Sequence, residues 1–225
     1  MSLPGSGNAT ADGFILAGGN SSRMGQDKAL IPLAGLPLVE HALAILRSAG
    51  LEPRIAGAKN DLSSFAPTLL DEPSQSGLGP LAGICNALAS STARYAVFLP
   101  IDLPLLPASL IDHLLHRAIV TESAITVVSI AEFVQTFPVV IHRGGLPVLQ
   151  SILGSNDRNC LRAFRAASDA ISRPFSIQPV EMLVQSGQVS HPQGLAAADW
   201  FLNINSPREL SRAETPLAQK HLQVS

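Results

Sequence analysis

Residues 95–104 read YAVFLPIDLP. The first five, Tyr95–Leu99, form an apolar run with no polar position left to face water. A strand with one wet face alternates polar and apolar residues, whereas a strand buried on both faces does not. The run therefore predicts a strand inside a parallel sheet covered by helices on both sides. Its sequence neighbours agree. Gly13–Leu16 (GFIL), Arg54–Ala58 and Thr68–Leu70 read as short strands. Leu36–Ala49, Leu81–Ala89 and Ala108–Ala118 have helical spacing, with Gly50 closing the first and Pro107 opening the last. Strand and helix in alternation imply right-handed crossovers.

Further along, Ile125–Ile130 and Pro138–His142 predict strands, and Leu146–Leu153 and Leu161–Ala167 predict helices. Phe175–Ile177 and Trp200–Ile204 read as late strands, and Ser206–Arg212 as a last helix. No repeat, low-complexity tract or interdomain linker interrupts the pattern. The expected fold class is α/β: a single domain of three layers, α/β/α, around a mostly parallel Rossmann-like sheet. Residues 1–12 read as a flexible leader, 13–212 as the domain, and 213–225 as a polar tail.

Composition narrows the function classes. The 225 residues are 46% hydrophobic and carry a formal charge of −2, with a mean hydropathy of +0.27. That is a globular chain with ample core, without the basic tract that nucleic-acid binding favours. No apolar run approaches the roughly 18 residues of a membrane span. Cys85 and Cys160 are too few and too far apart for a disulfide framework or a thiolate zinc site. The N-terminal segment lacks the pattern of a signal peptide. The expectation is a cytoplasmic protein.

Ligands of such sheets sit beyond the carboxyl ends of the strands. The stretch ILAGGNSSRMGQDKAL, residues 15–30, leaves the end of the first strand. Gly18 and Gly19 permit close backbone approach to an anion, while Arg23 and Lys28 supply charge. The spacing fits neither G-x-G-x-x-G nor the Walker A loop, because Gly19 and Gly25 stand one residue too far apart and Gln26 follows. Asp71 follows the Thr68–Leu70 strand and Asp102 follows Tyr95–Leu99, so both carboxylates leave carboxyl ends. A carboxylate beside a phosphate is repelled by about 4 kcal/mol at roughly 4 Å in an effective dielectric of about 20. A divalent cation removes that conflict. Mg²⁺, held by one or two carboxylates and phosphate oxygens, is the expected cofactor, with Asp102 its ligand.

These three pieces resemble the molybdenum cofactor guanylyltransferases (MobA family). LAGGNSSRMGQDKALIPLAGLPLVEH is similar to the family opening L-A-G-G-x-S-x-R-M-G-x-D-K-x-L followed by G-x-P-L. DEPSQSGLGPLAGI is similar to its Asp-to-GPLAGI loop, FLPIDLPLLP to its C-D-M-P metal segment with Ile101 for Cys, and WFLNINSPREL to its F-x-N-I-N-T-P-E-D-L segment. LPVLQSILGSNDRNCLRAF resembles the family's later helical pair. The resemblance runs in order over residues 13 to 212. It implies a sheet of the nucleotide-diphospho-sugar transferase type and GMP transfer from GTP to the terminal phosphate of molybdopterin, releasing pyrophosphate.

Carried over, Leu16, Ala17 and Gly18 line the guanine and ribose side, with Gly19 and Gly25 in the same loop. Arg23 and Lys28 contact phosphates, Asp71 binds the nucleoside, and Asp102 binds nucleotide and Mg²⁺. Arg23, Lys28 and Asp102 form the catalytic set. Asn203 or Asn205 completes the site. The family's A-N-R stretch is GAKN here, which puts Lys59 at the Asn position and Asn60 beside it, so the nucleoside contact falls to either Lys59 or Asn60. The resemblance also implies transient contact with other cofactor-biosynthesis proteins.

Alternatives on the same fold are a cytidylyl- or sugar-phosphate nucleotidyltransferase, disfavoured by L-A-G-G in place of L-A-A-G, and a catalytically silent nucleotide-binding accessory protein. Elsewhere, His113 and His116 read as a solvated helix face, Cys160 as a packing residue, and Trp200 and Phe201 as core. Arg158, Arg162 and Arg165 form either an exposed basic stripe or a site for the acceptor's phosphate.

Overall fold

The computed structural model describes residues 10–18, 27–58, 62–70, 78–155 and 158–218. The first strand, β1 (Ala11–Leu16), is followed by a 3-10 turn at Lys28–Leu30 and a small ribbon, β2 (Pro32–Leu33) and β3 (Leu36–Pro37). The ribbon's two-residue turn, Ala34–Gly35, has both residues at positive φ, the twist that suits a tight hairpin. Then come α1 (Leu38–Ser48), β4 (Pro53–Ala58), β5 (Thr68–Leu70), α2 (Pro80–Ser90) and β6 (Tyr95–Pro100). The second half contains α3 (Ala108–Val120), β7 (Ile125–Ile130), β8 (Phe133–Val134), β9 (Val139–His142), α4 (Leu146–Gly154), α5 (Cys160–Ala170) and β10 (Phe175–Pro179). It closes with α6 (Val180–Gln185), α7 (Ala197–Trp200) and α8 (Pro207–Ala218).

The main sheet runs in the order β10-β7-β9-β6-β1-β4-β5, with β8 paired to β7. The pairings β1–β4, β1–β6, β4–β5 and β7–β10 are parallel. Strand β9 lies antiparallel between β6 and β7, and β8 is antiparallel to β7. The expected mostly parallel α/β/α architecture is therefore present, with one reversed strand inside it. Because β9 is antiparallel to both neighbours, β6 and β7 still run the same way, so their carboxyl ends share one edge.

Burial explains the unbroken apolar strands. Successive side chains leave opposite faces of the sheet. Ile15, Ile55, Tyr95, Val97, Leu99, Val128 and Val140 join α1, α3 and α6 in one core. Phe14, Leu16, Ala56, Ala96, Phe98, Val127 and Ile141 join α2, α4 and α5 in the other. The rings of Phe14 and Phe98 stack at 5.4 Å on the second face. Cys85 and Cys160 are free and buried in that core, which pushes their thiols up to about 12 and about 11.

A third, small cluster of Ile31, Leu33, Leu38, Leu105, Ile204 and Ala213 ties the ribbon to the segment after β6 and to α8. Its members come from three distant parts of the chain, and it lies at the sheet edge where the site is built.

Several boundaries differ from the sequence expectation, and β1 begins at Ala11, two residues inside the expected leader 1–12, because Ala11 and Asp12 pair with Tyr95 and Ala96 of β6. Helix α1 starts after Pro37, because Leu36–Pro37 pair with β2. Residues 200–204 do not form a strand. Trp200 is buried and its indole N–H donates to the Leu195 carbonyl at 2.9 Å, so the chain closes a short helix there. Helix α8 continues to Ala218, beyond the expected Arg212, with Ala213 buried. No described helix is long and apolar enough to cross a membrane.

Phe98 anchors the second core, fully buried against Phe14. Phe98→Ala is expected to lower the unfolding free energy by about 3–5 kcal/mol, read from urea denaturation.

Candidate functional site

The first strand ends at Leu16, and the neighbouring strands extend its ladder by one step each. Ala17 N–H donates to the Ala56 carbonyl at 3.0 Å, and Ile101 N–H donates to the Leu16 carbonyl at 3.3 Å. The Leu16 side chain is buried in the core, so what it offers the site is its strand end; Ala17 is half-buried and Gly18 exposed. A Cβ on Gly18 would stand 2.8 Å from the Gly57 carbonyl oxygen. Here the missing side chain serves strand packing, because no side chain fits between the two backbones. Gly83, near the start of α2, also faces the Gly57 backbone, where a Cβ would sit at 3.5 Å.

Lys28 opens the 3-10 turn, which Asp27 caps by accepting from Ala29 N–H at 3.0 Å. Its ammonium donates to Asp102 Oδ2 at 2.9 Å and to Asn205 Oδ1 at 2.6 Å. The side chains of Lys28 and Asp102 keep only 17% and 24% exposure. A pair this sheltered is screened less by salt than a surface pair. The main chain holds the same junction, since Ile204 N–H donates to the Asp102 carbonyl at 3.0 Å. Ile31, Leu105 and Ile204 of the third hydrophobic cluster stand within three residues of Lys28, Asp102 and Asn205 respectively. The small apolar core thus sets the spacing of the polar clasp above it.

Asn205 is positioned from the other side by a capping box at the start of α8. Glu209 Oε2 accepts from Asn205 N–H at 2.7 Å and from Ser206 Oγ at 3.1 Å, while Glu209 N–H donates to Ser206 Oγ at 3.4 Å. The Asn205 N–H holds the Glu209 carboxyl below its ordinary range, with Ser206 and the Lys28 charge adding to the effect. Of the two candidate asparagines, Asn205 is the one joined to Lys28; Asn203 is exposed and has no partner among the described residues.

Lys28, Asp102, Asn205 and the strand end at Leu16–Gly18 therefore meet at the carboxyl edge of β1 and β6. Gly19, Arg23, Gly25, Lys59, Asn60 and Asp71 lie outside the described residues. Glu209 and Ser206 are positioning residues that the sequence reading missed; the S-x-x-E spacing at 206–209 was the available signal.

Other sequence candidates separate from this edge. His116 is exposed, but His113 is half-buried with an unpartnered Nε2, so the pair is not a uniformly solvated face. Among the described residues, no three His, Cys, Asp or Glu side chains converge on one point. Arg165 is exposed and lies 4.6 Å from the Phe175 ring centroid. Arg158 and Arg162 flank the α4–α5 turn, where Asn159 caps α5 by accepting from Arg162 N–H. Trp200 is core, and Cys160 is a buried packing residue.

Residues 13–171 match the MobA-like NTP transferase domain family. The chain is 31% identical over 219 residues to the molybdenum cofactor guanylyltransferase of Rhodobacter capsulatus, covering 92% of this chain and 96% of that protein. It is 32% identical over 206 residues to a probable molybdenum cofactor guanylyltransferase of Haloferax mediterranei, covering 88% and 90%. Among solved structures, molybdopterin-guanine dinucleotide biosynthesis protein A from Archaeoglobus fulgidus superposes with a TM-score of 0.72 at 21% identity, covering 92% of this chain and 99% of that one. A Thermus thermophilus 2-C-methyl-D-erythritol 4-phosphate cytidylyltransferase shares the fold at a TM-score of 0.62 and 16% identity, covering 92% and 98%.

The depressed Glu209 carboxyl has a pH signature. Its contribution is present above the unfolded carboxylate pKa and is lost as pH falls through the lower folded value. The stability gap between wild type and Glu209→Gln, open at neutral pH in urea titrations, is expected to close in acid.

Proposed function

The chain belongs to the MobA-like NTP transferase family, and from that premise we propose that it transfers GMP from GTP to the terminal phosphate of molybdopterin. The observation that carries the reading is the Lys28–Asp102–Asn205 clasp. It joins three of the motifs that resemble the guanylyltransferases at one strand edge. GTP enters over the Leu16–Gly18 strand end, with the Gly19–Gly25 loop, Asn60 and Asp71 completing its site and Arg23 contacting its phosphates. The acceptor's phosphate oxygen attacks the α-phosphorus. The new phosphorus–oxygen bond forms as the bond to the β-phosphate's bridging oxygen breaks, and pyrophosphate leaves with that electron pair. A phosphomonoester has a second pKa near 6, so the acceptor is already largely dianionic at neutral pH and needs no strong base. The protein's work is positioning and charge compensation.

Asp102 suits a hard cation. Its Oδ2 faces Lys28, and its Oδ1 has no hydrogen-bond partner among the described residues. One carboxylate with phosphate oxygens and water is the donor set that Mg²⁺ takes; Asp102 would hold the ion, which would supply charge withdrawal from the phosphates. In the free protein Lys28 neutralises Asp102. An arriving phosphate competes for the Lys28 ammonium, which turns toward the new anion and frees the carboxylate. Asn205, held by Glu209, keeps the ammonium from leaving the edge. The reaction uses GTP, the acceptor and Mg²⁺ in the cytoplasm, with transient contact to other cofactor-biosynthesis proteins.

Pyrophosphate release from GTP, with and without molybdopterin and Mg²⁺, tests this reading, with CTP in place of GTP as the comparison. Release that is independent of molybdopterin, or equal with CTP, refutes it. Asp102→Asn is expected to lose transfer while remaining folded, with a wild-type far-ultraviolet circular dichroism spectrum. Lys28→Ala is expected to weaken GTP binding by roughly 10- to 100-fold in calorimetry, the loss of one charge-assisted bond of about 1.5–3 kcal/mol.

A further inference from the structure

At the amino edge of the sheet, opposite the clasp, lies a cleft of about 730 Å³ whose lining includes Thr10, Thr92, Arg94, His142, Arg143 and Leu146. Thr10 and Arg94 precede β1 and β6, and His142 ends β9. The volume is in the range of small-molecule sites, roughly 300–1,000 Å³. The lining residues are one-sided in charge: two arginines, two threonines and a histidine, with no acidic residue among them.

The arginines are arranged rather than scattered. Arg143 N–H donates to the Arg94 carbonyl at 2.9 Å, which joins the two segments. Arg94 is steadied by Glu122 Oε1 at 3.1 Å and lies 5.7 Å from the Tyr95 ring centroid. Glu122 is shared. Arg173 donates to its carbonyl at 3.0 Å and approaches Oε2 at 3.5 Å. One carboxylate thus faces two guanidiniums, and Arg143 has no side-chain partner among the described residues. The local charge is positive in a chain whose net charge is −2. His142 Nδ1 accepts from Gly144 N–H at 3.1 Å, so the neutral ring carries its proton on Nε2 and adds a further donor. The hydroxyls of Thr10 and Thr92 have no partner among the described residues. Asp12, the carboxylate on β1, is spent on Arg54 at 2.6 Å and on Ser91.

Three arginines against the one carboxylate of Glu122 leave donors in surplus, which selects an oxyanion, and the apolar residues Leu146, Pro147 and Ala93 of the lining admit an organic group beside it. Guanidinium groups match the oxygens of phosphate in number and geometry. We propose that this cleft is a second ligand site, separate from the clasp, that binds a phosphorylated small molecule with its phosphate or diphosphate between Arg94 and Arg143. The site does not depend on which nucleotide the clasp takes.

The test is isothermal titration calorimetry of the full chain in Mg²⁺-free buffer, in the Lys28→Ala background that weakens the clasp. Inorganic pyrophosphate and GMP are titrated separately. Saturable binding that persists in this background, and that falls about tenfold or more when Arg143→Ala is added, is expected. Tighter GMP binding identifies a nucleotide as the source of the phosphate; tighter pyrophosphate binding identifies the free diphosphate. Arg143 is exposed, so its replacement leaves the core untouched. Binding that Lys28→Ala alone eliminates, or that Arg143→Ala leaves unchanged, overturns the proposal.

Discussion

The Lys28 ammonium, held between the Asp102 carboxylate and the Asn205 amide, is the contact on which the carboxyl edge of this protein depends. It joins residues 74 and 177 positions apart in sequence. Such a pair is costly to form alone, since both side chains lose freedom and both ions lose water. The surrounding fold offsets that cost by preparing each partner separately. Lys28 is set by a capped turn, Asp102 by the strand end and its carbonyl bond to Ile204, and Asn205 by the capping box of α8. The apolar cluster of Ile31, Leu105 and Ile204 beneath them makes the polar contacts follow from packing that is already in place.

How far the sequence alone reveals this depends on what each residue's surroundings demand. Tyr95–Leu99 was legible because burial on both faces leaves no room for a polar position. Strand β9 was legible as a strand but not in direction, since a short apolar run carries no mark of its polarity in the sheet. Trp200–Ile204 misled for a related reason. Its apolar residues suit a strand, yet the indole N–H must find an acceptor when buried, and Leu195 supplies it by turning the chain. The ribbon of β2 and β3 went unread because two-residue strands have no periodicity to detect.

The candidate site divides in the same way. Asp102 was legible as a charge just past a strand end, and Lys28 as a charge in the loop that leaves one. The choice between Asn203 and Asn205 was not, because it turns on a capping interaction from the next helix. Gly18 was selected for its backbone freedom, and the structure adds a different requirement, the carbonyl of Gly57 against its α-carbon. One residue type satisfies both demands, which is why the sequence pattern could not separate them.

The reach of the clasp across the chain has a consequence during synthesis. An emerging polypeptide can pair β1 with β6 and bring Lys28 to Asp102 well before Asn205 and its helix have left the ribosome. Until then the ammonium lacks its second partner and the small apolar cluster lacks Ile204 and Ala213. Contacts of such long sequence separation form late. The carboxyl edge is thus the part of the fold whose packing waits on the most distant segment of the chain.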